Sequence, residues 1–157
     1  MLSKFFNSNL IKNKSIKVHA HCDGPCGVYD PASARVAAEA VLSMTKKLID
    51  LTPPENTNSD DWAAYSNTFS RYVAVKEEQA KETKKEILIL WTDYFKPVHL
   101  ETFPDLHDNI WKAAKLCSAC KVNIDLNQAE ELMIYVEKIH NIFWKSKGRS
   151  DAFIKAS

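Results

Sequence analysis

Residues 125–147, DLNQAEELMIYVEKIHNIFWKSK, decide the fold class. Leu132, Val136, Ile139 and Phe143 recur at three- and four-residue intervals, the spacing that puts apolar side chains on one face of a helix. Asp125 stands where an N-cap is needed, and Gln128, three residues on, completes a capping box, so a helix is expected over about Leu126 to Lys147. Upstream, the same reasoning gives a helix from about Asp105 to Lys121, preceded by a loop that contains Pro97 and Pro104. A longer helix is expected from about Asp61 to Tyr94, with Trp62, Tyr65, Phe69, Val73, Ile87 and Leu90 as its core residues. The polar, two-proline stretch from Pro53 to Asp61 reads as a connection. Before it, Asp30-Pro31 offers an N-cap and a proline at the first helical position, followed by Val36, Ala40, Met44 and Leu48, with an end near Asp50.

Four helices joined by connections of modest length make an all-α, antiparallel up-down four-helix bundle, over about residues 31–147. Only three glycines occur in 157 residues, too few turn formers for a many-stranded fold. The run from Lys76 to Glu86 is dense in charge and is expected to be a solvated face laced with i,i+4 pairs. The apolar and aromatic stripes are expected to be core rather than a cofactor box.

Residues 1–20 are expected to be a removable leader. They carry Lys4, Lys12, Lys14 and Lys17, with no Asp or Glu. Their longest apolar run is too short and interrupted for a secretory signal, although Val18-His19-Ala20 suits cleavage after a small residue; a basic, acid-free leader also fits organelle targeting. A cytoplasmic location is the reading adopted. Removing four lysines takes the formal charge from +1 to −3, so the remaining 21–157 domain is mildly acidic, which argues against nucleic acid as a partner. No membrane partner is expected.

Ahead of the first helix lies HCDGPCGVYDP, residues 21–31, which gathers an imidazole, two thiols and a Gly-Pro turn. Gly24-Pro25 lets the chain reverse so that Cys22 and Cys26 aim at one point. Thiolates are soft donors and suit several metals, so the pair alone is compatible with half a zinc site, a disulfide or two unrelated thiols. Cleavage between Ala20 and His21 would add a free amine to the His21 imidazole, the Cys22 amide and the thiols. An amine, an amidate and two thiolates form a planar set of the kind preferred by Ni(II) or Cu(II), with the imidazole available for an axial position.

The stretch 21–32, running into an Ala-rich helix, and Trp91-Thr92-Asp93-Tyr94-Phe95-Lys96-Pro97 together resemble the nickel-containing superoxide dismutases. This resemblance implies a nickel ion, one per subunit, held by His21, Cys22 and Cys26, cycling between Ni(III) and Ni(II) to convert superoxide into oxygen and hydrogen peroxide. It implies a propeptide removed by a processing protease to expose His21, and a homohexamer of four-helix bundles. Tyr29 is placed by it in the substrate pocket beside the metal, and Tyr94, Phe95 and Lys96 near residues 21–29. Asp23 is expected to fix the loop by hydrogen bonds. Because the net charge is negative, steering of the superoxide anion must come from local lysines such as Lys96. The chain departs from the family at two positions: a glutamate that supports the axial histidine in some members, and its arginine partner, align with Ala37 and Gln79. Support for His21 is then expected from Glu39, a backbone carbonyl or water.

Two other readings compete. Cys22, Cys26, Cys117 and Cys120 could gather one zinc in a non-enzymatic helical module, which requires the two regions of the chain to meet. Alternatively, Cys22 and Cys26 could act as a thiol oxidoreductase. Cys117 and Cys120 lie three apart on a helix without the strand that precedes a thioredoxin motif, so packing is their expected role. His99, His107 and His140 are scattered and receive none.

Overall fold

The computed structural model describes residues 27–156. These contain α1 (Ala32–Asp50), α2 (Ser59–Ile89), a π-helical turn (Leu90–Tyr94), α3 (Pro97–Thr102), α4 (Leu106–Val122) and α5 (Leu126–Ser146), with no strand among the described residues. The four long helices pack as a ring, α1 on α2, α2 on α4, α4 on α5, and α5 back on α1. This is the expected up-down bundle, and α3 is an addition to it.

In α5 the expected stripe is the core: Leu132, Val136, Ile139 and Phe143 are all buried, joined by Ala129 and Met133. Asp125 caps the helix, its Oδ1 accepting from the N–H groups of Asn127 and Gln128 at 2.9 and 3.3 Å. Gln128 does not return the bond. Its Oε1 accepts from Asn123 Nδ2 at 3.1 Å, so the capping box is half made.

Helix α1 begins where Asp30 Oδ1 accepts the N–H of Ala32 at 2.8 Å. Its buried face differs from the expected one. Val36 is 55% exposed, Ala40 and Met44 are half-buried, and the core face is Ala34, Ala38, Val41, Thr45 and Leu48. A strict four-residue spacing drifts by about 40° per step around a helix of 3.6 residues per turn, whereas alternating threes and fours hold one face. Of the expected stripe, only Leu48 lies on both lines.

Helix α2 starts earlier than expected because Asn58 caps it, accepting from Asp60 N–H at 3.0 Å. Ile87 and Leu90 are buried as expected, but Tyr65, Phe69 and Val73 are half-buried and Trp62 is 41% exposed. Trp62, Tyr65 and Phe69 form a ladder of rings with centroids 5.7 and 6.1 Å apart.

The charged run is not uniformly solvated. Its surface pairs, Glu78 with Lys81 and Glu82 with Lys85, form at three-residue rather than four-residue spacing. Lys76, Thr83 and Glu86 are buried. The Lys76 ammonium donates to the carbonyls of Cys120, Lys121 (3.2 Å) and Asn123 (2.8 Å), where α4 ends and its last carbonyls lack helical partners.

Candidate metal centre

The expected ligands His21, Cys22 and Cys26, with Asp23, lie outside the described residues. The described residues begin next to them in sequence, at Gly27, and this start of the bundle is the candidate mount. Gly27 has φ of 68°, a left-handed conformation that glycine adopts without strain. Val28 is exposed, and Tyr29 then turns onto the bundle as a half-buried residue packed against the core.

Its ring meets Tyr94 at 5.7 Å between centroids, tilted by 52°. Tyr94 sits in an aromatic nest, 4.5 Å from Phe143, 5.1 Å from Phe95 and stacked on His99 at 5.6 Å. The nest is built by the π turn, closed by a hydrogen bond from Phe95 N–H to Leu90 O at 2.9 Å. The extra residue in such a turn shifts the side chains after it around the helix.

The Tyr94 hydroxyl lies 2.6 Å from Ser146 Oγ, and Ser146 donates to Phe143 O at 2.7 Å. Ser146 has one hydroxyl proton, already used, so Tyr94 is the donor and its hydroxyl is committed to α5. Lys96 is exposed, and its backbone N–H donates to His99 Nδ1 at 3.0 Å. Lys96 is therefore joined to the Tyr94 nest through His99. Sequence reasoning assigned no part beside Tyr94 to His99, Phe143, Ser146 or Lys147, whose ammonium lies 5.4 Å from the Tyr94 ring centre. For Lys147, its place at the C-terminal cap of α5 was the available signal.

At the positions of the missing family pair, Ala37 is buried and Gln79 half-buried. Glu39 is buried one turn from Arg35, which donates to its Oε2 at 3.4 Å, while Oε1 accepts from the N–H of Ala156 at 2.6 Å.

The family model described as nickel-containing superoxide dismutase matches residues 16–147, which include both the 21–29 stretch and the bundle that mounts it. The chain belongs to the nickel-containing superoxide dismutase family. Curated superoxide dismutases [Ni] from Streptomyces seoulensis and Streptomyces coelicolor are 37% and 36% identical to it over 147 residues, 94% of this chain and 98% of theirs. A solved nickel-containing superoxide dismutase with nickel ligation corresponding to the oxidised state superposes with a TM-score of 0.69 at 37% identity, covering 82% of this chain and 99% of its own.

The family match does not support the rival zinc module, two of whose four cysteines, Cys22 and Cys26, lie outside the described residues. Trp91 in the π turn contacts His107 near the start of α4, at 5.3 Å, so the start of α4 is level with the aromatic nest. Cys117 and Cys120 lie ten and thirteen residues further along α4, roughly 15–20 Å up the bundle at 1.5 Å per residue. Among the described residues no group of three or more His, Cys, Asp or Glu could hold a metal ion.

Both thiols are free and buried, and burial pushes Cys117 up to about 12 and Cys120 up to about 11. They are packing groups kept as neutral thiols. Iodoacetamide at pH 8 is therefore expected to leave both unmodified in the folded protein and to label them on unfolding, read by mass spectrometry. Stability also acquires a sign. Above pH 9 the unfolded chain loses these protons while the folded chain keeps them, so stability falls by about 1.4 kcal/mol per pH unit per thiol until the folded values are reached. Lys76, held below its usual range mainly by burial, opposes part of that slope below pH 10.5. Urea midpoints between pH 8 and 11 measure the difference.

Proposed function

We propose that this protein, once cut before His21, converts two superoxide anions and two protons into oxygen and hydrogen peroxide, with one nickel ion per subunit. The observation that carries the reading is the unbroken family match from residue 16 to 147, across the candidate ligands and their mount alike. The donor set fits the metal: the His21 amine and imidazole, the Cys22 amide and thiolate, and the Cys26 thiolate would hold nickel through nitrogen and soft anionic sulfur donors. Nickel held by such donors supplies a one-electron couple able to oxidise one superoxide and reduce the next.

The chain's own residues hold and screen that centre. Tyr29 offers its hydroxyl to superoxide or water beside the metal, and its ring is fixed by Tyr94. Asp23 holds the turn. Lys96 contributes positive charge near the aromatic nest in a chain whose processed form is net negative. Tyr94 acts by packing, since its hydroxyl is bonded to Ser146.

Removal of residues 1–20 by a processing protease is supported by a difference in coverage. The curated relatives span 94% of this chain, whereas the solved chain spans 82% while matched over 99% of its own length. The shortfall is about the size of the leader. Assembly as a homohexamer is supported by the partly exposed aromatic ladder on α2, which offers apolar surface to another subunit. No helix of the described residues is long and apolar enough to cross a membrane, and the leader's interrupted apolar run supports a cytoplasmic location.

The test compares a form starting at His21 with one retaining residues 1–20, each treated with nickel, its metal quantified and its mass measured by light scattering. Dismutation is expected only in the nickel-loaded, His21-starting form, at the mass of six subunits. Equal activity in both forms would sink the free-amine ligand, and inactivity of two folded, nickel-treated forms would sink the dismutase reading.

A further inference from the structure

Three of the four seams in the ring are joined by a covalent connection: 51–58 between α1 and α2, 90–105 between α2 and α4, and 123–125 between α4 and α5. The α1–α5 seam has none, because these are the first and last helices among the described residues. It is also the seam beside the mount, since Tyr29 leads into α1 while its partner Tyr94 rests on Phe143 and Ser146 of α5.

Residues 149–156 lie beyond the family match, which stops at 147, and they cross this seam. The crossing begins at the end of α5, where Gly148 N–H donates to Lys145 O and Arg149 N–H to Trp144 O, both at 2.9 Å. This is a Schellman closure with Gly148 at φ of 69°, and it folds the chain back along the helix it has just left. The Arg149 guanidinium then lies 4.5 Å over the Trp144 ring and bonds Asp151 at 3.1 Å. His140 Nε2 donates to Asp151 O at 3.0 Å, and the Phe153 ring meets His140 edge-on at 5.2 Å, half-buried against the core. At the far side Ala156 N–H donates to Glu39 Oε1, while Arg35 holds the other oxygen of the same carboxylate.

We propose that residues 149–156 are a strap that takes the place of the missing connection, fixing the first turns of α1 on α5 and so holding Tyr29 against Tyr94. Phe153 and Glu39 are its positioning residues. Neither touches the reacting atoms; they act through α1. The consequence for the metal site rests on the dismutase reading above, whereas the mechanical statement does not.

The experiment compares four proteins starting at His21: unchanged, ending at Gly148, Phe153→Ala and Phe153→Leu. Amide exchange is read first on the metal-free proteins, then the nickel dissociation constant. Loss of the strap is expected to speed exchange of the α1 amides from Val36 to Val41 by about tenfold, leave α4 unchanged, and weaken nickel binding; Phe153→Leu should stay near the parent. Should the form ending at Gly148 fail to fold, Phe153→Ala carries the same test. Unchanged α1 exchange in Phe153→Ala, or loss spread equally over α1 and α4, would overturn the strap. Because the exchange is measured without metal, an inactive enzyme with selectively loosened α1 would count against the dismutase reading and leave the strap standing.

Discussion

Changing Cys26 to serine in the His21-starting form is expected to abolish nickel retention and lower dismutation by more than about 100-fold, with the helical content of the bundle unchanged. A serine hydroxyl is a hard donor that remains protonated at neutral pH, so it replaces neither the charge nor the softness of a thiolate. Groups that only orient metal ligands typically cost 10–100-fold when removed, which makes that range the lower bound for a ligand itself. The fold is expected to survive because residue 26 precedes the described bundle, whose core is drawn from residues 34 onward. Metal content by mass spectrometry and helicity by circular dichroism separate the two effects. A Cys26→Ser protein that still binds one nickel and dismutates within tenfold of the parent would remove Cys26 from the centre.

Replacing Lys76 with alanine is expected to cost about 3 kcal/mol, although it meets the end of α4 opposite to the one beside Tyr29 and Tyr94, and lies on a helix that looks solvated. The buried ammonium has three donors, and the carbonyls of Cys120, Lys121 and Asn123 receive them, the first bond buried and the other two part-buried. Hydrogen bonds to a charged group are worth about 1.5–3 kcal/mol each, and the buried Cys120 carbonyl left without its partner adds a desolvation cost, against which release from burying the charge is a partial offset. The cation also faces the negative end of the α4 dipole. Lys76→Met should restore the packing of the side-chain stem and lose less. Urea unfolding with an unchanged m-value measures it, and a midpoint shift worth under about 1 kcal/mol would show that water replaces the ammonium without cost.

The fold was legible where a helix pattern alternates threes and fours. All four residues chosen in α5 proved buried, because their spacing tracks the face turned to the bundle. In α1 a stripe chosen at constant spacing of four walked off that face, and the small residues Ala34 and Ala38 that make the contact carry little hydrophobic signal. Lys76 was illegible for a different reason: periodicity marks it as one more charge among many, and its partners lie 44 to 47 residues away at the end of another helix. The site divides in the same way. Tyr29, Tyr94 and Lys96 were singled out by the resemblance, carried on short contiguous motifs, and Tyr29 does meet Tyr94. The roles of His99 and Ser146 depend on how the π turn and α5 aim their neighbours, which no spacing expresses.

The ring of helices has a consequence for the order in which the protein is made ready. Hairpins of neighbouring helices close short loops and form early, whereas the α1–α5 seam joins the first and last of the described helices, and the strap across it joins Glu39 to Ala156, more than a hundred residues apart. That contact is expected to form late in folding, and it completes the platform behind Tyr29. A nascent chain would thus carry its two N-terminal thiols for some time before the platform exists. A leader that withholds the free amine of His21 until the helices have closed would act as a timer, keeping metal acquisition behind folding.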